Sequence, residues 1–122
     1  EVAPFGIRVV IIEPGIVKTD ILAKNTDAPN ETGQYDQAYR RLFAFYMKGM
    51  ADPGHPSEVS EVVYEACTAD KPKFRYTCGW GGSELINGRA SITDDQWLDL
   101  GAIESDTEYA ERFGELFGLD IS

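Results

Sequence analysis

Pro14, Gly15, Val17 and Thr19, in the run Pro14-Gly15-Ile16-Val17-Lys18-Thr19, are the residues of this chain best placed to bind a ligand. Proline followed by glycine ends regular structure, and the backbone beyond it is left to offer N–H and C=O groups. The Thr19 hydroxyl adds a side chain that both donates and accepts. Its plain alternative is a helix N-cap just after a loop. Other reactive chemistry is sparse. His55, the single histidine, sits in the turn Pro53-Gly54-His55-Pro56, where capping or a surface position is its expected role. Cys67 and Cys78 lack metal-ligand spacing, so no metal site is expected. They are read as reduced packing residues rather than a disulfide.

The elements that must hold this loop can be read on either side of it. Gly6 to Glu13 carries the apolar, mostly β-branched run Val9-Val10-Ile11-Ile12, which suits a strand over residues 7–13 covered on both faces, as in a parallel sheet. In such sheets ligands sit beyond the carboxyl ends of the strands. A polar loop is expected over Lys24–Gly33, with an incidental sequon at Asn30-Glu31-Thr32. Residues 34–48 then read as a helix with an unusually aromatic stripe: Tyr35, Ala38, Tyr39, Leu42, Phe45 and Tyr46. A second helix is expected over 57–69, with Pro56 in its first turn and Val59, Val62, Val63, Ala66 and Cys67 as its stripe. Lys71-Pro72 breaks it, and Phe74 to Gly79 gives a second strand.

Ala3-Pro4-Phe5-Gly6, the strand after it, and Pro14-Gly15-x-x-x-Thr19 together resemble the short-chain dehydrogenase/reductase family. Lys71-Pro72-Lys73-Phe74-Arg75-Tyr76 resembles that family's last strand. The resemblance implies the distal part of a doubly wound, Rossmann-like parallel sheet. It also implies hydride transfer between NAD or NADP and a carbonyl or alcohol, in an enzyme that is a homo-oligomer when complete. Cofactor contacts would come from Pro14, Gly15, Val17 and Thr19, with the nicotinamide carboxamide held near Val17 and by the Thr19 hydroxyl. The loop and the aromatic helix would form a lid over the substrate; plain core packing is the alternative for that stripe.

The family's Gly-rich dinucleotide turn, its catalytic serine and its Tyr-x-x-x-Lys pair are not found in these residues. Tyr35, Tyr39, Tyr46, Tyr64, Tyr76 and Tyr109 all lack a lysine four positions on. No catalytic residue is therefore assigned, and the chain is expected to be the carboxyl-terminal half of an enzyme, inactive alone. A non-catalytic binding module derived from the same fold is the alternative.

Composition sets outer bounds. The 122 residues are 43% hydrophobic and carry a formal net charge of −10. Residues 1–82 hold 11 acids against 9 bases, whereas residues 83–122 hold 10 against 2. Such a balance argues against nucleic acid or an anionic membrane as partner. It also marks a division near Gly79-Trp80-Gly81-Gly82, between a family-like body (1–82) and an acidic, mostly helical extension (83–122). That extension reads either as a docking surface or as a solvated helical face. Thr93-Asp94-Asp95-Gln96 and Ser105-Asp106-Thr107-Glu108 have capping-box spacing and open two helices. Trp97, Leu98 and Leu100 are the expected apolar positions of the first, and Tyr109, Phe113, Leu116 and Phe117 those of the second, with a stop at Gly118. With no long apolar span and no leader, a cytoplasmic protein is expected.

Overall fold

The apolar run near the start of the chain forms β1 (Ile11–Pro14), which pairs in parallel with β2 (Arg75–Cys78), Ile11 opposite Arg75 and Pro14 opposite Cys78. The computed structural model describes residues 1–21 and 32–122. Most of the expected Lys24–Gly33 loop lies outside the described residues. Between the strands run α1 (Asp36–Ala51) and α2 (Pro56–Thr68); after β2 come α3 (Gly82–Ser91), α4 (Asp94–Ala102) and α5 (Asp106–Phe117). The fold is α/β, with five helices on a two-stranded parallel sheet among the described residues.

Both strands are shorter than the sequence predicts, and β1 is half-buried rather than covered on both faces. Ile7 and Val9, expected in the strand, lie before it and are exposed, Val9 at 58%. β1 has β2 as its only neighbour among the described residues, so its other edge is bare. The strand does end at Pro14-Gly15 as expected, with Pro14 as its last residue. Ile11 N–H donates to Phe74 O at 2.8 Å and Gly15 N–H to Cys78 O at 2.8 Å. Ladder groups alternate along a parallel strand, so the nitrogens of Ile12 and Pro14 face the bare edge, where proline removes no bond to β2.

Helix α2 opens as its sequence demands. His55 is its N-cap, taking the Ser57 N–H on Nδ1 at 3.2 Å, while its own N–H donates to Glu58 Oε1 at 2.9 Å. Pro56 occupies the first turn, where a missing N–H costs nothing. At the other end Arg8 donates to the carbonyls of Cys67 and Ala69, each at 2.8 Å, satisfying terminal acceptors with a cation. Both cysteines are free, but Cys67 is exposed, so it is not the packing residue expected.

The hydrophobic cluster sits around α5. Leu100, Phe113, Phe117, Leu119 and Ile121 are buried together, and Phe45 of α1 and Trp80 pack against them. The Phe113 and Phe117 rings stack at 4.6 Å. Thr93 caps α4 with the full reciprocal box, Ser105 caps α5 by taking the Glu108 N–H, and Gly118 ends α5 in the left-handed region. Of the expected α4 stripe only Leu100 is core; Leu98 is exposed at 67% and Trp97 edges onto Phe117 from outside. Helix α3 is absent from the sequence expectation because Gly82 and Gly88 weaken its signal. Gly88 is required: a Cβ there would lie 2.4 Å from Phe117 Cδ1.

Candidate functional site

The chain leaves β1 at Pro14 and is pinned at once between two other turns. Ile16 N–H donates to Trp80 O at 2.8 Å, and Ile16 O accepts from both Trp80 N–H (3.2 Å) and Gly54 N–H (3.1 Å). Lys18 N–H donates to Gly54 O at 3.0 Å. The Ile16 side chain is buried, and its own N–H and C=O are both bonded. Gly15 is needed for space and not for an unusual backbone angle, since its φ is not positive. A Cβ at Gly15 would fall 2.1 Å from Trp80 O and 2.6 Å from Gly82 N.

Val17 and Thr19 are different. Among the described residues, the Val17 N–H and C=O and the Thr19 hydroxyl have no hydrogen-bond partner. A fixed frame thus presents a backbone donor, a backbone acceptor and a hydroxyl within one short loop. This combination matches a primary carboxamide, which needs an acceptor for its NH2 and a donor for its oxygen.

The loop forms one wall of a cavity of about 770 Å³ beyond the carboxyl ends of the two strands. Pro14, Gly15, Val17 and Thr19 all line it, so the structure brings the four sequence-predicted residues together. Phe45 and Tyr46 of α1 form a second wall, with Val59, Ser60 and Val63 of α2 and Leu85 of α3 completing it. The aromatic stripe of α1 therefore divides. Tyr35, Tyr39 and Leu42 are exposed, Phe45 packs 5.1 Å from the Trp80 ring, and Tyr46 faces the cavity. Sequence reasoning missed Ser60 and Leu85 as wall residues; Val59 and Val63 were visible as the α2 stripe, but not which side that stripe would face.

Helix α1 is also held by α5 and the segments flanking it. Asp106 accepts from Arg40 Nε (2.9 Å) and Arg41 Nε (3.0 Å), Gln37 donates to Glu104 O (2.6 Å), and Lys48 reaches Asp120 at 3.4 Å. These contacts hold Asp106 and Asp120 below the usual carboxylate range: for Asp106 mainly the Arg40 and Arg41 hydrogen bonds, for Asp120 mainly those from Ser122 and then Lys48. Near the turn after β2, burial and then the Glu58 charge raise the Cys78 thiol, which argues against a thiolate nucleophile. Among the described residues no group of His, Cys, Asp and Glu is arranged to hold a metal.

The chain is 34% identical over 105 residues to an uncharacterized oxidoreductase, YusZ, of Bacillus subtilis (strain 168), covering 82% of this chain and 38% of that protein. It is 31% identical to retinol dehydrogenase 7 of Rattus norvegicus over 66% of this chain and 29% of the relative. With the NADPH-dependent 3-dehydrocapnine reductase of Ornithobacterium rhinotracheale it shares 38% identity over 62% of this chain and 28% of the relative. The chain belongs to the short-chain dehydrogenase/reductase family. No family model and no solved structure matches it. This short-chain dehydrogenase/reductase segment spans well under half the length of the curated relatives it matches. No helix among its described residues is long and apolar enough to cross a membrane.

Proposed function

We propose that this chain supplies the nicotinamide-side loop and the substrate wall of an NAD(P)-dependent oxidoreductase that interconverts a carbonyl and an alcohol. The single observation that carries the reading is the loop itself. Its frame is locked by Ile16 and Lys18 to the turns at Gly54 and Trp80, while Val17 and the Thr19 hydroxyl have no partner among the described residues and line the cavity. The two parallel strands are compatible with the distal part of a doubly wound sheet, in which ligands bind where this cavity lies.

In this reading Val17 N–H and C=O hold the two ends of the carboxamide and the Thr19 hydroxyl adds a third bond, fixing which face of the ring meets the substrate. When bound, the nicotinamide gives or takes the hydride, the hard step that the cofactor itself carries. Gly15 keeps the loop close enough to Trp80 for the geometry to hold. Phe45 and Tyr46 close the substrate side and exclude water.

Fluorescence titration of NADH and NADPH against the protein with its full natural sequence tests the reading. Thr19→Val removes one hydroxyl and keeps the shape, so the dissociation constant should rise about fivefold, from the loss of roughly 1 kcal/mol. Failure of the unaltered protein to bind either dinucleotide would overturn the proposal. An unchanged constant in Thr19→Val would remove Thr19 from the site.

A further inference from the structure

We infer that the cavity takes an uncharged, largely apolar substrate, and that two helices are patterned to keep charge out of it. This rests on the reading of the cavity as the substrate site. Among the described residues no Asp, Glu, Lys or Arg side chain lines it. The exclusion is built into both helices. On α2, Pro56, Val59, Ser60 and Val63 share one face at spacings of three and four, and that face is the cavity wall. Glu58, Glu61 and Glu65 lie off it and are exposed, and Glu58 is committed to the His55 N–H. On α1, the bases Arg40, Arg41 and Lys48 are paired with Asp106 and Asp120 and do not line the cavity, which takes Phe45 and Tyr46 from that helix.

The polar groups that remain suit one neutral oxygen. Ser60 Oγ already donates to Pro56 O at 3.2 Å. With the Thr19 hydroxyl and the Val17 backbone engaged by the carboxamide, the Tyr46 hydroxyl is the group left among the described residues to orient a carbonyl or an alcohol. An ion brought into such a wall loses its hydration and meets no counter-charge, a far larger cost than burying a neutral oxygen. A volume of about 770 Å³ is in the range of sites that enclose a ligand of tens of atoms. The substrate class is therefore a neutral alcohol or ketone on a sizeable hydrocarbon body, and not a keto acid or an amine.

The test is a calorimetric comparison of matched probes, decan-2-one and decan-2-ol against decanoate and decylammonium, on the protein with its full natural sequence. The neutral pair should bind at least about tenfold more tightly. Equal or tighter binding of decanoate or decylammonium overturns the inference, as does binding of none of the four. Val63→Lys introduces an ammonium at a position that is 42% exposed, so the side chain has room. It should raise decanoate affinity and lower that for decan-2-one, each by about tenfold. If that variant unfolds by circular dichroism, Ser60→Lys on the same face gives the same reading; a folded variant with unaltered preference counts against the assignment. Dinucleotide titration alongside separates the two claims. Selective uptake of decan-2-one without either nicotinamide cofactor supports the neutral cavity and overturns the oxidoreductase reading. Dinucleotide binding with a preference for decanoate overturns the neutral cavity alone.

Discussion

Arg41 Nε donates to Asp106 Oδ1 at 3.0 Å, while the guanidinium lies 4.1 Å from the centre of the Tyr109 ring, so one side chain joins α1 to both a carboxylate and an aromatic face of α5. A second donor of the same group reaches Ile103 O at 2.5 Å. Arg40 shares the carboxylate but is 61% exposed, against 11% for Arg41.

That difference in burial gives unequal expectations. Arg41→Met should lower unfolding free energy by about 2 kcal/mol, because it strands a carbonyl and removes the ring contact. Arg40→Met should have little effect, as exposed ion pairs contribute little. Urea denaturation of the two variants checks the order; equal losses would show that the two arginines act alike.

Acid should release this attachment late. The Arg40 and Arg41 hydrogen bonds depress Asp106 below its ordinary value of 3.8. A carboxyl with a lowered native pKa contributes stability that is complete above its unfolded value and lost as pH falls through the native one. The wild-type protein should therefore keep this contribution down to pH 4 and lose it below pH 3.8. Asp106→Asn should show a shallower fall over that acid range when melting temperature is followed against pH.

Two glycine substitutions should move stability in opposite directions. Gly15→Ala places a methyl 2.1 Å from Trp80 O and should cost about 2–3 kcal/mol or prevent folding. Gly101→Ala in α4 meets nothing within 4 Å and should stabilise by about 0.5–1 kcal/mol through helix propensity. Thermal melts of both report the signs.

Tyr46 and Phe45 are neighbours with separable roles. In the protein with its full natural sequence, and on the reading proposed above, Tyr46→Ala should change the ranking of substrates by kcat/KM with little loss of melting temperature. Phe45→Ala opens a hole between Trp80 and Phe113 and should cost about 3 kcal/mol. Tyr39→Ala should do neither, since Tyr39 is exposed and does not line the cavity.

The parts of this molecule legible in the sequence are those fixed by local rules. Thr93 and Ser105 announce their helices because a hydroxyl two or three residues ahead of free N–H groups caps them directly. Pro14, Gly15, Val17 and Thr19 were legible as a group through a family resemblance, and they do share a cavity wall. What was hidden depends on approach between distant segments. Gly88 looks like a helix breaker until the Phe117 ring is beside it, and Gly15 looks like a turn residue until Trp80 is. The exposure of Val9 was equally unreadable, because β-branching tells that a segment favours a strand, not where pairing begins, and β1 starts only at Ile11.

That exposed apolar position makes its own prediction for the 122-residue chain. Val9→Lys should reduce self-association measured by light scattering, because it puts a charge in the exposed apolar segment just before β1. Association unchanged by the lysine would place the sticky surface elsewhere.

The orientation of Pro14 gives the bare edge of β1 a blind end. A strand laid alongside it finds a donor at Ile12 and then, two residues on, a ring in place of the next hydrogen. Any strand paired along that edge would forgo one hydrogen bond opposite Pro14, so Ile12 offers the edge's last strand donor before the ligand loop departs.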